Sequence, residues 1–90
     1  MTQPGRVRIP EHVMTRQVGD ESVMLDLEKG TYFGLDPVGS RAWQMLGEGK
    51  SPAELPVALA AEFDAPLERI EQDVARLVED LIAQGLLVRD

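Results

Sequence analysis

The chain has 90 residues and a formal net charge of −7, with 43% hydrophobic and 28% charged residues. This length supports one domain with one hydrophobic core, and the composition is that of an ordinary globular protein. The negative charge disfavours wholesale binding to a phosphate backbone, and the absence of cysteine excludes disulfide bonds, thiolate chemistry and cysteine–zinc sites.

The beginning of the chain shows no targeting feature. Residues 1–12 contain three prolines or glycines and no apolar run, unlike a secretory signal peptide. No run of about eighteen apolar residues is present, so the sequence predicts no membrane span. We therefore expect a cytoplasmic protein, with residues 1–11 as a flexible tail and residues 12–90 as one domain.

Residues 13–35 have the composition of β-strands. The segment 13–18 is rich in β-branched residues and ends at a turn. In residues 23–27, Val and Leu alternate with Met and Asp, which is the period of a half-buried strand. Gly30 ends a three-residue connection that suits a type I turn followed by a left-handed position, and residues 31–35 are dense in β-formers. These segments predict an antiparallel meander of three strands.

After residue 35 the apolar period becomes helical. Asp36 precedes a proline, and the pair predicts the cap and the first position of a helix that ends at the Gly-Glu-Gly segment. Ser51 and Glu54 form a capping-box pattern for a second helix that runs to about residue 63. Pro56 removes one hydrogen-bond donor from that helix, so we expect a bent or tightened first turn.

A third helix is predicted between Pro66 and Gly85, where the glycine takes the place of a C-terminal cap. Apolar residues recur there at a 3-4-3-4 spacing and form one stripe, beside a ridge of charged residues. The stripe consists of Leu67, Ile70, Val74, Leu77 and Leu81, and the ridge of Arg69, Asp73, Arg76 and Asp80. Strands followed by helices predict an α+β fold, with a three-stranded antiparallel sheet followed by three helices.

The sequence offers little for catalysis, which needs a nucleophile, an acid–base pair or a metal held in geometry. His12 is the single histidine and has no orienting partner, so we interpret it as a solvated residue before the first strand. Asp26 and Asp36 could pair as carboxylates. The simpler interpretation makes Asp36 a helix cap and Asp26 an outward strand residue or a turn ligand. No glycine-rich phosphate loop is present either. Taken together, these observations predict no catalytic residue, no metal and no cofactor.

A small sheet with three helices can also form a winged-helix DNA-binding regulator, which is the alternative to a peptide-binding function. On the third helix, Asp73 and Asp80 alternate with Arg69 and Arg76, so the ridge attracts phosphate poorly. The four aromatic residues make a poor platform for base stacking. We therefore expect no nucleic-acid partner.

The strand at residues 31–35 admits two interpretations. In the simpler one it is a core strand, with Phe33 and Leu35 on one side and Tyr32 and Gly34 on the other. In the second, it ends the meander, and its outer backbone groups lack partners while Gly34 leaves room for another backbone. An open edge beside the apolar stripe would accept an extended peptide by β-augmentation, or a second copy of the chain.

The sequence VMLDLEKGTYFGLD at residues 23–36 resembles the PqqD-like family of precursor-peptide recognition elements. The resemblance spans about residues 12–88, and Pro56 departs from the family pattern. Its other components are Gly39, Trp43, the capped helix at Ser51, the pair Phe63 and Asp64, and the Gly-Leu-Leu segment at residues 85–87.

The resemblance implies a winged helix-turn-helix-like fold without catalytic activity. Family members bind the leader segment of a ribosomally synthesised precursor peptide as a fourth strand, against the third strand and beside the third helix. They serve a leader peptidase or a radical-SAM modifying enzyme, in lasso-peptide or PQQ-type pathways. The Tyr-Phe-Gly-Leu-Asp segment is more similar to the stand-alone lasso-peptide type.

The same resemblance implies which residues bind the peptide. The strand supplies backbone hydrogen bonds, with Tyr32 as an aromatic wall. Three helix residues receive apolar side chains, and three more set the charge at the rim. The expected peptide-binding residues are Thr31, Tyr32, Phe33, Gly34, Leu35, Asp73, Val74, Arg76, Leu77, Asp80 and Leu81.

Overall fold

The structure is a computed structural model that describes residues 6–89. It confirms the predicted α+β fold, in which a three-stranded antiparallel sheet is followed by three helices. In chain order the elements are β1 (Val7–Arg8), β2 (Val13–Val18), β3 (Glu21–Asp26), β4 (Thr31–Leu35), α1 (Pro37–Gly47), a 3₁₀ turn (Pro52–Glu54), α2 (Leu55–Glu62), α3 (Leu67–Ala83) and β5 (Val88–Arg89).

The three-stranded sheet has the order β2-β3-β4, so β3 is its central strand. The strands β1 and β5 form a separate two-stranded sheet. As predicted, β3 is half-buried, and its buried face carries Ser22, Met24 and Asp26. The Val and Leu residues of the same strand lie on the opposite, more exposed face. The helices cover the side of the sheet to which Met24 belongs, and its side chain is completely buried in the core.

Asp26 is a turn ligand, and its interpretation as an outward strand residue is wrong. Its Oδ1 atom accepts hydrogen bonds from the backbone N–H groups of Glu28 at 2.9 Å and Lys29 at 3.0 Å. The hydrogen bond from Lys29, opposed by burial and assisted by that from Glu28, holds the pKa of Asp26 below its ordinary value. Gly30 has a φ of 71° in the same turn, which confirms the predicted left-handed position.

His12 is less exposed than its interpretation as a solvated residue requires. Its side chain is 27% exposed, and its Nε2 atom lies 3.8 Å from Oδ2 of Asp26. Its Nδ1 atom lies 3.6 Å from a carboxylate oxygen of Glu28. The imidazole is therefore packed between two carboxylates of the β3–β4 turn, an arrangement that the local sequence around residue 12 could not reveal.

Helix α1 begins as the sequence predicted. The Oδ1 atom of Asp36 accepts a hydrogen bond of 2.7 Å from the backbone N–H of Gly39, so this carboxylate caps the helix and does not pair with Asp26. Trp43 is buried, and its indole Nε1 donates a hydrogen bond of 2.8 Å to Oγ1 of Thr15. This bond fixes α1 against β2.

The second helix differs from its predicted start. The side chain of Ser51 makes no capping hydrogen bond, so the capping-box prediction is wrong. An α-helical first turn would need a hydrogen bond from the backbone nitrogen of Pro56 to Pro52, and proline has no N–H to donate. The chain instead forms a 3₁₀ turn in which Leu55 donates to Pro52, and this confirms the expected tightening of the first turn.

The end of α3 is a Schellman motif centred on Gly85, which has a φ of 77°. The N–H of Leu86 donates to the carbonyl of Leu81 at 2.9 Å, and that of Gly85 donates to Ile82 at 3.0 Å. The chain then returns to the core, where Leu86 and Leu87 are buried. The glycine therefore ends the helix and turns the final residues inward, as its position in the sequence predicted.

Part of the predicted N-terminal tail is docked on the domain. Val7–Arg8 pairs antiparallel with Val88–Arg89, and Pro10 is buried. The remainder of that prediction falls on residues 1–5, outside the described range, so the extent of the tail stays a prediction. Between residues 6 and 89, no helix has the length and apolar character needed to cross a membrane.

Candidate functional site

Among the residues that the structure describes, the edge of β4 is one of the two unpaired edges of the three-stranded sheet, the other being the outer edge of β2. β3 pairs with one side of β4, and no strand between residues 6 and 89 pairs with the other side. The backbone N–H and C=O groups along this edge are therefore available to an added strand. Gly34 lies in the middle of the edge, and no heavy atom beyond its chain neighbours approaches within 4 Å of the position that its Cβ would take.

A cleft of about 530 Å³ lies between β4 and α3. Its walls combine an apolar surface with charged side chains, and α1 and the segment before α3 also contribute to the lining. The apolar lining residues are Phe33, Leu35, Val38, Ala42, Phe63, Ala65, Ile70, Val74 and Leu77, and the charged ones are Asp36, Arg69, Asp73, Arg76 and Asp80. Cavities of this size with apolar walls and a few polar groups are typical of binding sites.

Most of the predicted peptide-binding residues line this cleft. They come from the end of β4 and from one side of α3, which the fold places next to each other. The predicted residues in the lining are Phe33, Gly34, Leu35, Asp73, Val74, Arg76, Leu77 and Asp80.

Thr31, Tyr32 and Leu81 lie elsewhere. Leu81 is completely buried in the core and so has no surface to offer a peptide. Tyr32 is 79% exposed and projects from the opposite face of the sheet, because successive strand residues point to opposite sides. Thr31 is exposed at the start of β4, outside the cleft lining.

The apolar stripe of α3 belongs largely to the core, although three of its five residues also line the cleft. Ile70, Val74 and Leu81 are buried, as is Val78 beside the stripe, whereas Leu67 is 43% exposed. Leu77 is half-buried and lines the cleft. It is therefore the stripe residue whose side chain is best placed to contact a bound molecule, while its other side packs against the core.

Sequence reasoning missed several lining residues. Val38 and Ala42 come from α1, and Phe63 follows α2, so only tertiary packing brings them to the cleft. Arg69 could have been included, because its spacing places it on the same ridge as Asp73.

The opposite face of the sheet carries an exposed apolar row. Met14, Leu25 and Tyr32 lie directly opposite one another on β2, β3 and β4, and are 56%, 38% and 79% exposed. We call this side of the sheet the outer face. Single exposed apolar residues are common, but three aligned on adjacent strands form a continuous surface.

An accessible strand edge beside an apolar cleft defines a class of small α+β domain that can take up a further strand. The sequence matches the family of Coenzyme PQQ synthesis protein D (PqqD) over residues 21–87, more than half of the chain. The chain therefore belongs to the PqqD family. No curated protein matches it.

Two solved structures are similar to the whole fold. One is described as "TbiB1 in Complex with the TbiA(beta) Leader Peptide"; it is 41% identical, with a TM-score of 0.82 over 89% of this chain and 93% of that chain. The other is described as "Lasso peptide synthetase B1 complexed with the leader peptide"; it is 28% identical, with a TM-score of 0.82 over 92% of this chain and 98% of that chain.

Proposed function

We propose that this protein binds the leader segment of a ribosomally synthesised precursor peptide in a lasso-peptide pathway and delivers it to a partner enzyme, without catalysing a reaction itself. The observation that carries the proposal is the unpaired edge of β4 beside the apolar cleft. The two similar structures, both described as leader-peptide complexes, support the same function.

The binding mode that fits this geometry is strand addition. A leader strand that pairs with Thr31–Leu35 gains main-chain hydrogen bonds, which supply affinity for many sequences. Its side chains alternate, so every second one enters the cleft and contacts Phe33, Val74 or Leu77. Two or three of these apolar side chains therefore carry most of the sequence preference.

Delivery needs a second surface, because the cleft is filled when the leader is bound. The leader side chains that point away from the cleft would extend the outer face beyond Tyr32. We infer that the partner enzyme, a leader peptidase in the lasso-type pathway, docks on this outer face, with Met14, Leu25 and Tyr32 at its centre. Docking there raises the local concentration of the precursor at the enzyme.

The substitution Leu77→Glu tests the cleft directly. It places a charge on the half-buried apolar wall, so affinity for a synthetic leader of the precursor encoded beside this gene should fall at least about tenfold. Affinity is measured by calorimetry, and the fold by circular dichroism. Ala75→Glu is the matched control, because it adds the same charge to an exposed position of α3 outside the cleft lining.

Two results would contradict the proposal. One is equal leader affinity in the folded Leu77→Glu and Ala75→Glu variants. The other is tight binding of duplex DNA, lost steeply as salt is added, without leader binding, which would favour the winged-helix regulator.

A further inference from the structure

The part of α3 that borders the cleft carries four charged residues without partners. Arg69, Asp73, Arg76 and Asp80 follow a 4-3-4 spacing, so they lie along one side of the helix, and all four line the cleft. We call these four residues the rim. Within residues 6–89, none of their side chains forms a hydrogen bond or an ion pair.

The order of the charges along α3 weakens two of the three neighbouring pairs in the rim; the third pair, Asp73 and Arg76, has the favourable order three residues apart but forms no ion pair within residues 6–89. Arg69 precedes Asp73, and Arg76 precedes Asp80, each by four residues. A basic residue four positions before an acidic one is the weaker orientation for a helical ion pair, because it opposes the helix dipole. The rim therefore leaves both signs of charge available to a bound peptide.

The two arginines are unusual among the cations of this chain. Five of the nine basic residues have an interaction partner: Arg6, Arg8, Lys29, Arg41 and Arg89. Of the four that have none among residues 6–89, Arg69 and Arg76 line the cleft, whereas Arg16 and Lys50 lie outside it. The cleft lining as a whole holds three carboxylates and two guanidinium groups, so it is the immediate surroundings of Arg69 and Arg76 that attract an acidic group.

The alternation of sign along the rim matches the repeat of an extended peptide. Arg76 and Asp80 are four residues apart, which is about 6 Å along a helix axis. Side chains on one face of a strand repeat at about 6.7 Å. A peptide that slips by two residues keeps the same face toward the cleft, and the slip would move an acidic side chain from Arg76 to Asp80 or Asp73.

We propose that Arg69 and Arg76 select leader peptides with an acidic side chain facing α3, and that Asp73 and Asp80 disfavour the slipped register. This inference rests on the proposed leader-binding function. It adds a charge requirement and a register to the apolar contacts of the cleft. The acidic residue lies at an even number of positions from the apolar residues that enter the cleft, because both belong to the same face of the peptide.

The test compares Arg76→Glu and Arg69→Glu with Lys50→Glu. Each change lowers the net charge by two, and Lys50 is an unpartnered cation outside the cleft, so Lys50→Glu controls for the change in net charge. The probe is the synthetic leader of the precursor encoded beside this gene. Affinity should fall by roughly tenfold in Arg76→Glu and by less than about threefold in Lys50→Glu.

A charge swap completes the test. The leader in which the critical acidic residue is replaced by lysine should bind Arg76→Glu more tightly than it binds the wild-type protein. Equal affinity of Arg76→Glu, Arg69→Glu and Lys50→Glu for the natural leader would overturn the charge inference but leave the leader-binding function standing. A tightly bound natural leader without an acidic residue in the paired segment would do the same. Failure of the wild-type protein to bind any leader would refute the proposed function itself.

Discussion

Leu25 and Tyr32 lie directly opposite each other on β3 and β4, and both project from the outer face of the sheet. Their exposure, 38% and 79%, leaves this apolar pair accessible beside the edge that we propose for the leader. A partner that contacts the pair would therefore also contact the outward side chains of a bound leader strand.

The outer face should matter for enzyme delivery and not for leader binding. Leu25→Ser should leave leader affinity unchanged and lower the rate of precursor processing by the partner enzyme about five- to tenfold, because apolar contact area is lost. Val57→Ser is the control, since Val57 is 69% exposed on α2, away from the sheet. Equal processing rates for the two variants would refute docking at the outer face.

Strand addition predicts a two-residue period in the leader. N-methylation of a leader backbone nitrogen that faces β4 removes a donor and adds bulk, so affinity should fall by roughly tenfold or more at that position. The neighbouring nitrogens point away from β4 and should tolerate the methyl group. A series of singly N-methylated leaders, measured by calorimetry, checks this, and a helical or irregular pattern of losses would exclude strand addition.

Asp26 should make the free energy of unfolding depend on pH. Its pKa in the folded protein is lowered, first by the hydrogen bond from the backbone of Lys29. The stabilisation is therefore present above the unfolded-state pKa, and it is lost as the pH falls through the folded-state pKa. Asp26→Asn should unfold more easily than wild type near neutral pH, and should lose less stability between about pH 5 and about pH 2.

Urea unfolding at a series of pH values measures this difference. Asp20→Asn is the control because Asp20 is an exposed carboxylate in the turn between β2 and β3. That variant should follow the wild-type pH profile. Parallel profiles for Asp26→Asn and wild type would show that the buried carboxylate does not couple protonation to folding.

Gly85→Ala should destabilise the protein without touching the cleft lining. The residue adopts a φ of 77°, and a Cβ atom there would lie 3.2 Å from Nζ of Lys29. The left-handed conformation costs a residue with a side chain about 1–2 kcal/mol, which corresponds to a loss in Tm of at least roughly 4 °C for a domain of this size. Gly34→Ala, where the added methyl group meets nothing within 4 Å, should leave Tm unchanged or raise it.

Local sequence was sufficient for most of the elements and their ends, but not for the short pair of β1 and β5 or for the start of α2. The proline after Asp36, the glycine at residue 85 and the alternation in residues 23–27 each predicted a feature that the structure contains, because caps, turns and strand periods depend on neighbours in the chain. The error at Ser51 was also local, since it came from giving the capping pattern more weight than Pro56.

Part of the cleft could be predicted from the sequence. The end of β4 and the charged ridge of α3 were identified, whereas Val38 and Phe63 were not, because they reach the cleft from α1 and from the segment after α2. Tyr32 was assigned to the peptide contacts, but the pleat turns its side chain to the outer face.

The sequence by itself determined the order of the three meander strands and the three helices, the family resemblance and the charges of the rim. The tertiary structure alone decided which face of β3 is buried, that Leu81 belongs to the core, and that Leu77 borders an open cleft. The reason is that periodicity identifies two faces of an element but carries no information about which of them meets another element. That choice depends on packing between segments distant in the chain.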